Sequence, residues 1–563
     1  MSADFPVALV LIFGAALVPL LRGRLRAAYL LLLPLAAFVH LLALPYGEYG
    51  HVRLLGQTLV LMRVDRLSLL FGYIFLIAAF LNAIYALQVE DTVQHVAGLV
   101  YAGAALGAVF AGDLLTLFVY WEITAVSSVL LIWARRTESA YRAGMRYVVV
   151  QLASGMLLLM GALLHLHDGG TLSFGEIGLA GAGGYLILAA FGIKCAFPLL
   201  HNWLQDAYPE ATVTGTVMLS AFTTKLGVYA LARGFAGTEM LIWVGALMTA
   251  FPIFYAVIEN DLRRVLAYSM NNQLGFMVAG IGIGNELALN GAVAHAFADI
   301  LFKALLFMSM GAVLLRAGTV KGSELGGLYK SMPWTTGFCI VGAASISAFP
   351  LFSAFVTKSM VMAAAAEEGH VVIWLVLLFA SAGVFHHAGI KIPYFAFFAH
   401  DSGIRCREAP LNMLVAMGLT ALLCVGIGVF PAALYSILPY AVSYVPYTAA
   451  HVVDQLQLLV FSALAFAVLM RTGIYPPELK STNIDFDWTY RRLGPAVVAA
   501  LTRVCGGVLA LGGTAGAVAT SHLVTVLRSH HGPQGVLART WPTGSMALWA
   551  VILLLAYLLL YYL

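Results

Sequence analysis

Charge is what this chain has least of. Asp, Glu, Lys and Arg together make up 10% of its 563 residues, where a soluble globular domain carries about 25%. Apolar residues reach 62% and the mean hydropathy is +0.93. These values exclude an ordinary soluble fold and predict an all-α polytopic membrane protein. The net charge is only +4, so no nucleic-acid partner is expected. Cysteine is sparse too. Cys195, Cys339, Cys406, Cys424 and Cys505 are scattered, with no CxxC and no Cys/His metal spacing, and they read as free thiols packed in helices. No haem, iron–sulfur or zinc motif is present, and neither a cofactor nor a metal is expected. Residues 5–21, the first apolar stretch, lack a basic leader and run straight into another span. They read as a retained helix rather than a cleaved signal peptide.

A membrane span needs about 20 apolar residues. Sixteen stretches are candidates: 5–21, 27–46, 67–89, 93–110, 113–133, 144–166, 182–206, 210–234, 238–257, 263–284, 287–315, 334–366, 371–399, 410–437, 455–470 and 544–563. Residues 50–64 are short, partly alternating and charged at both ends, and predict an extramembrane β-hairpin or loop. Arg and Lys in short loops set sidedness. Arg22, Arg24 and Arg26, Arg135, Arg136 and Arg142, Arg263 and Arg264, Arg316, Lys321 and Lys330, and Arg405 and Arg407 all follow odd-numbered spans. Loops after even-numbered spans, such as 167–181 and 367–370, carry little positive charge. The bias places the basic loops in the cytoplasm and both termini outside, as for a multi-pass protein of a bacterial plasma membrane. Residues 471–543 hold Arg471, Lys480, Arg491, Arg492, Arg503, Arg528 and Arg539 and should be cytoplasmic. Within them, 493–530 predicts a lateral helix along the membrane surface before the last span, about 55 Å long if continuous.

Against this apolar background, a few ionisable residues stand inside the spans. A charge at membrane depth is costly, tends to be paired and to face the bundle interior, and often belongs to an ion pathway. Glu122 lies in DLLTLFVYWEITAVSSVLLIW, too far inside the span for a helix-end cap to explain it. Lys194 is flanked by Gly192 and Pro198 in YLILAAFGIKCAFPLLHNWLQDAYPEA, where the proline should break the helix. Broken helices at membrane depth line cavities and frame ion sites, although a lysine can also snorkel to the interface. A change in the separation of Lys194 and Glu122 would switch the lysine between holding and releasing a proton. Lys225, beside Thr223 and Thr224, is the next candidate station. His295, Asp299 and Lys303 follow at i,i+4 spacing, neighbours on one helix surface, and read as a relay or as a polar packing cluster. Lys358 comes after Pro350 and small residues, repeating the proline-and-lysine pattern, and would govern the exit to the opposite side. Lys391, with His386 and His387, reads either as functional or as interfacial. His201, Asp206 and Glu210 either gate cytoplasmic access or cap helices, and Asp65 and Asp261 sit at helix ends beside arginines.

Taken in order, the strings DLLTLFVYWE, FPLLHNWLQDAYPEA with TKLGVYAL, ENDLRRVLAYSMNNQLGF, HAFADILFKALLF and FPLFSAFVTKS resemble the antiporter-like subunits of respiratory complex I and of Mrp-type multisubunit Na+/H+ antiporters, the Mrp D component in particular. The resemblance implies two inverted five-helix repeats, each with a broken helix, around a hydrophilic axis. It implies that Glu122 and Lys194 form the first half-channel pair, Lys225 the bridge, His295 and Lys303 the central relay, and Lys358 the terminal lysine of the second half-channel. The expected organisation is N-terminal helices at 1–110, repeats at 111–234 and 235–400, core helices at 401–470, and a cytoplasmic segment with lateral helix and last span at 471–563. This last segment runs on past the fourteenth helix, where relatives of the D component commonly stop, and is similar to the bracing tails of larger family members.

The resulting expectation is a proton-translocating subunit that works with other membrane subunits, moving H+ and, in an antiporter, exchanging it for Na+. The same relay serves a complex I-like or hydrogenase-type electron-transfer complex, where the chain would be part of an oxidoreductase, or an energy-coupled inorganic-carbon uptake complex. A stand-alone solute transporter fits less well, since the buried ionisable residues form a series rather than a substrate pocket. A pure scaffold has no use for them.

Overall fold

Prolines, glycines and loop charges partition the chain into helices in every one of the sixteen stretches. The computed structural model describes residues 5–562 apart from 55, 477, 480–482, 484, 513–514, 533–534 and 536–541, with no side-chain description over 504–519. Lys480 and Arg539 therefore lie outside the described residues. Two compact units are present, Met1–Asn483 and Ile484–Leu563. Among the described residues, eleven helices are long and apolar enough to cross a membrane.

The first unit begins with α1 (Val7–Ala15) and α2 (Gly23–Leu42), followed after the hairpin by α3 (Arg66–Tyr85) and α4 (Thr92–Phe110). Next come α5 (Leu114–Trp133), α6 (Glu138–His167), α7 (Gly181–Lys194), α8 (Asn202–Ala207), α9 (Val213–Ala221) and α10 (Thr223–Gly234). The second set is α11 (Met240–Ile258), α12 (Leu262–Ile283), α13 (Glu286–Ala317), α14 (Pro333–Ile346), α15 (Ser353–Glu367) and α16 (Val371–Val384). From α16 the chain continues through π-helical turns to Phe398. Helices Leu411–Val429 and Ala449–Thr472 complete the unit's long helices. Strands β1 (Gly47–Leu54) and β2 (Gln57–Val64) pair antiparallel, so residues 50–64 belong to a hairpin. It docks where α4 turns into α5: the Gly112 N–H donates to the Val60 carbonyl at 3.0 Å, and the Val60 N–H to Asp113 at 2.8 Å.

Helix starts use short polar caps where the sequence supplies them. Asp65 caps α3 in a reciprocal box with Ser68, and Asp261 caps α12. Asp65 also pairs with Arg233 at 2.8 Å, tying the start of α3 to the end of α10. Burial opposes its ionisation, but the Arg233 hydrogen bond and charge, the Ser68 N–H and Arg63 outweigh it and hold the carboxyl at about 2. A depressed carboxylate contributes stability that is complete above its unfolded value of 3.8 and is lost as pH falls through about 2. The stability difference between wild type and Asp65→Asn, followed by unfolding from pH 5 downward, is therefore expected to hold until about pH 4 and to shrink below it.

Two interruptions share one geometry. After α7, Ala196 (φ 58°) and Leu199 (φ 70°) are left-handed; after α14, Ala348 (φ 54°) and Leu351 (φ 74°) are. Each break reads Ala-Phe-Pro-Leu. Phe197 donates to the Gly192 carbonyl at 2.9 Å and Phe349 to the Ala344 carbonyl at 3.1 Å, the six-to-one bond of a Schellman stop. Glycine normally takes the left-handed place in that motif, and alanine there costs about 1 kcal/mol or more. The same strained stop is built twice, at the two prolines that the sequence marks as breaks. A further interruption falls at Phe222, between α9 and α10, where no proline announces it.

The second unit contains Gly494–Gly512, Ala515–His531 and Thr543–Tyr562. The helix expected over 493–530 is present on both sides of residues 513–514. Thr543–Tyr562 is apolar on all faces and none of its residues is buried, as suits a helix surrounded by lipid or by other subunits.

Candidate functional site: a buried ionisable series

Lys194 ends α7 and is fully buried. Its ammonium donates to the Trp121 carbonyl at 3.2 Å and the Thr124 hydroxyl at 2.8 Å, and lies 4.7 Å from the Trp121 ring centroid. Three acceptor or π contacts from one turn of α5 replace its hydration shell. Glu122 stands in that turn but makes no direct ion pair with Lys194 among the described residues. Its Oε1 is buried without a hydrogen-bond partner there, tucked over Gly155 of α6. A Cβ added to Gly155 would collide with that oxygen.

The chain approaches its next lysine backbone to backbone. A Cβ on Gly227 of α10 would lie 3.1 Å from the Lys194 carbonyl carbon, so the end of α7 packs directly on the helix that carries Lys225. Lys225 donates to the Ser220 carbonyl at 3.1 Å, a group near the end of α9 at the Phe222 interruption. It also pairs with Asp299 of α13 at 2.6 Å, both side chains fully buried. Lys303, one turn on, donates to Ser269 of α12 at 2.7 Å.

His295 links α13 to two other helices. Its Nε2 is 3.0 Å from Gln273 Oε1 and its Nδ1 3.1 Å from Thr357 Oγ1. The Gln273 amide donates its nitrogen to Asn272 at 2.7 Å, which leaves its oxygen to accept, so Nε2 carries a proton. Thr357 also donates to the Ser353 carbonyl at 3.2 Å, yet it has one hydroxyl proton. With neutral His295 that proton turns to Nδ1; with protonated His295 it turns to Ser353, at the start of α15. The ring of Phe276 lies 6.1 Å from His295 and 4.8 Å from the Lys358 ammonium. Lys358 lies after its break, on α15, whereas Lys194 lies before its own. It makes two 3.5 Å contacts, to the Ile346 carbonyl at the end of α14 and to Ser381 of α16.

Of the remaining candidates, His387 stands within electrostatic reach of Lys303, a member of this series. Lys391 is fully buried, donates to the carbonyls of Ala256, Val257 and Glu259 at 3.2, 2.6 and 2.7 Å, and pairs with Glu478 at 2.9 Å. It neutralises the carbonyl end of α11. Glu478, which the sequence reading missed, approaches from the segment after Thr472. Burial raises its carboxyl pKa against the pull of Lys391. His386 packs on Phe466 and Tyr475 at 5.3 and 5.5 Å, and His387 is fully buried. His201 begins α8 and meets Phe251 edge-on at 4.7 Å. Asp206 holds Arg146 in a two-point pair at 2.6 and 3.0 Å, and Glu210 accepts from Arg135 and Ser139.

Residues 111–385, which contain every member of the series, match the NADH:quinone oxidoreductase/Mrp antiporter transmembrane family. That stretch, just under half of the chain, is similar to that family. Hydrogenase-4 component B of Escherichia coli (strain K12) is 29% identical over 349 residues, 54% of this chain and 52% of that protein. The D component of the Na(+)/H(+) antiporter of Alkalihalophilus pseudofirmus (strain ATCC BAA-2126 / JCM 17055 / OF4) is 29% identical over 309 residues, 50% of this chain and 62% of that protein. The match thus spans about half to three-fifths of the length of these relatives. Among solved structures, a chain of an archaeal membrane-bound sulfane sulfur reductase matches with a TM-score of 0.71 at 21% identity, over 98% of this chain and 100% of that one. That likeness establishes the membrane-subunit fold.

Gly155 makes the Glu122 position testable within this Mrp/complex I-type core. Gly155→Ala must push the flexible carboxylate aside while leaving the helices in place. Proton-coupled transport is expected to fall by up to about 10²-fold, with the amount of assembled protein in membranes unchanged on immunoblots.

Proposed function

We propose that this chain is a proton-translocating subunit of a multisubunit cation/proton antiporter, exchanging Na+ for H+ with other membrane subunits as partners. The observation that supports this most directly is the fully buried Lys225–Asp299 pair, with His295 one turn before Asp299 on α13 and itself in contact with Thr357, the residue before Lys358. In this reading Glu122 and Lys194 load the series. Lys225 and Asp299 carry the proton by exchanging partners, Lys303 and His295 pass it on, and Lys358 discharges it. Gln151, Gln205 and Asn271 are buried amides without hydrogen-bond partners among the described residues; such groups are met by ordered water, which supports a hydrated approach. We take the helical stretches as sixteen crossings with two inverted five-helix repeats and both termini outside, a layout that the twice-built break favours.

A second setting is the proton-pumping arm of an electron-transfer complex. The fold match over 98% of the chain, tail included, favours keeping it. Isolation from the native membrane in mild detergent, with identification of what accompanies the chain, separates the two. Small hydrophobic subunits alone support the antiporter; iron–sulfur or flavin subunits support the redox arm. A solitary chain that transports by itself would overturn both.

A further inference from the structure

The series ends at Lys358, and that reading alone leaves open how a proton leaves it. Beside Lys358, between α15, α16 and the helix Ala449–Thr472, lies a crevice of about 350 Å³. Its lining includes Ser359, Trp374, Tyr444, His451, Asp454 and Gln455. Ser359 is the residue after Lys358. Gln455 donates its side-chain amide to the Ser347 carbonyl at 3.1 Å, and Lys358 contacts the carbonyl of the residue before, Ile346. The lysine and the crevice thus meet at adjacent carbonyls of the second break. His451 stacks on Phe355 of α15 at 4.3 Å and 14°, and its Nδ1 is 2.7 Å from the Pro446 carbonyl. That contact places a proton on Nδ1 and leaves Nε2 to accept. Asp454 is exposed and has no ion-pair partner among the described residues. It is the one acidic residue in the helix Ala449–Thr472, one position before the span at 455–470.

We propose that this crevice is the discharge port of the relay and that Asp454 is its proton-accepting residue, with Gln455 as a positioning residue that holds the break open toward it. The proposal rests on the relay reading. The Lys358 ammonium gives its proton to a water in the crevice, becoming a neutral amine. The resulting hydronium passes a proton to the Asp454 carboxylate, and the Asp454 carboxylic acid releases it to bulk water and returns to the anion. The positive-inside pattern puts this mouth on the outer face, since the helix Ala449–Thr472 starts after an even-to-odd loop.

Three variants of the full chain, in its native complex and reconstituted into vesicles, test the port. Asp454→Asn is expected to lower proton-coupled transport by about 10²-fold at unchanged complex content, Asp454→Glu to restore most of it, and Lys358→Ala to abolish it. Full activity of Asp454→Asn beside an inactive Lys358→Ala overturns the port and spares the relay. Full activity of Lys358→Ala overturns the relay itself. Independently of transport, Ser359→Cys is expected to react with a water-soluble, membrane-impermeant methanethiosulfonate added from the outer face, with the wild-type chain as background. If Ser359→Cys in the assembled complex is unreactive from both faces, the crevice is closed to water and the proposal is wrong.

Discussion

Lys194→Ala is expected to abolish proton-coupled transport while the protein still assembles. The physical reason lies in how Lys194 is held. Its ammonium rests on a carbonyl, a hydroxyl and an indole face, all neutral groups that its removal does not leave charged. Glu122, the nearest acid in the series, makes no direct ion pair with it among the described residues, so no buried salt bridge is broken. Stability is therefore largely spared, whereas a missing proton carrier in a linear series costs on the order of 10²–10⁴-fold in rate. Uptake assays on vesicles, normalised to complex content, check it. A Lys194→Ala chain that transports normally would mean that the proton enters elsewhere.

The Lys225–Asp299 pair should behave in the opposite way. Both side chains are fully buried, so Asp299→Ala leaves the ammonium, among the described residues, with the Ser220 carbonyl alone and is expected to destabilise by about 3–5 kcal/mol. Lys225→Met should do the same from the other side, stranding the carboxylate. Replacing both, Lys225→Met with Asp299→Leu, removes the two charges together and is expected to restore thermal stability in detergent nearly to wild type, yet not transport. Recovery of transport along with stability in the double variant would show that the pair is structural.

Much of this arrangement was legible in the sequence because apolar runs and prolines are local signals. The sixteen helical stretches, the hairpin over 50–64 and the breaks at Pro198 and Pro350 each follow from a few consecutive residues. What was not legible depends on which helices meet. The i,i+4 ladder of His295, Asp299 and Lys303 points to neighbours on one helix, but Asp299 takes its partner from α10, 74 residues back in sequence. The interruption at Phe222 has no proline to mark it. Thr357 and Gln273 are residue types common in membrane helices, and only their contacts with His295 distinguish them. Glu478 sits in a stretch whose arginines suggested nothing but a cytoplasmic loop, and it is identified only by the buried lysine it meets. Lys194 and Lys358 share a proline-marked pattern yet stand on opposite sides of their breaks. Three of the buried lysines, Lys225, Lys358 and Lys391, contact carbonyls near helix ends, a pairing between side chain and backbone that no residue spacing encodes.

The single hydroxyl of Thr357 has a consequence for what the middle of the molecule can carry. In the proposed relay, each proton crossing from His295 toward α15 would leave the hydroxyl turned the other way, and it would have to swing back before the next could follow. Within that proposal such a rotor would act as a turnstile for protons, one per swing.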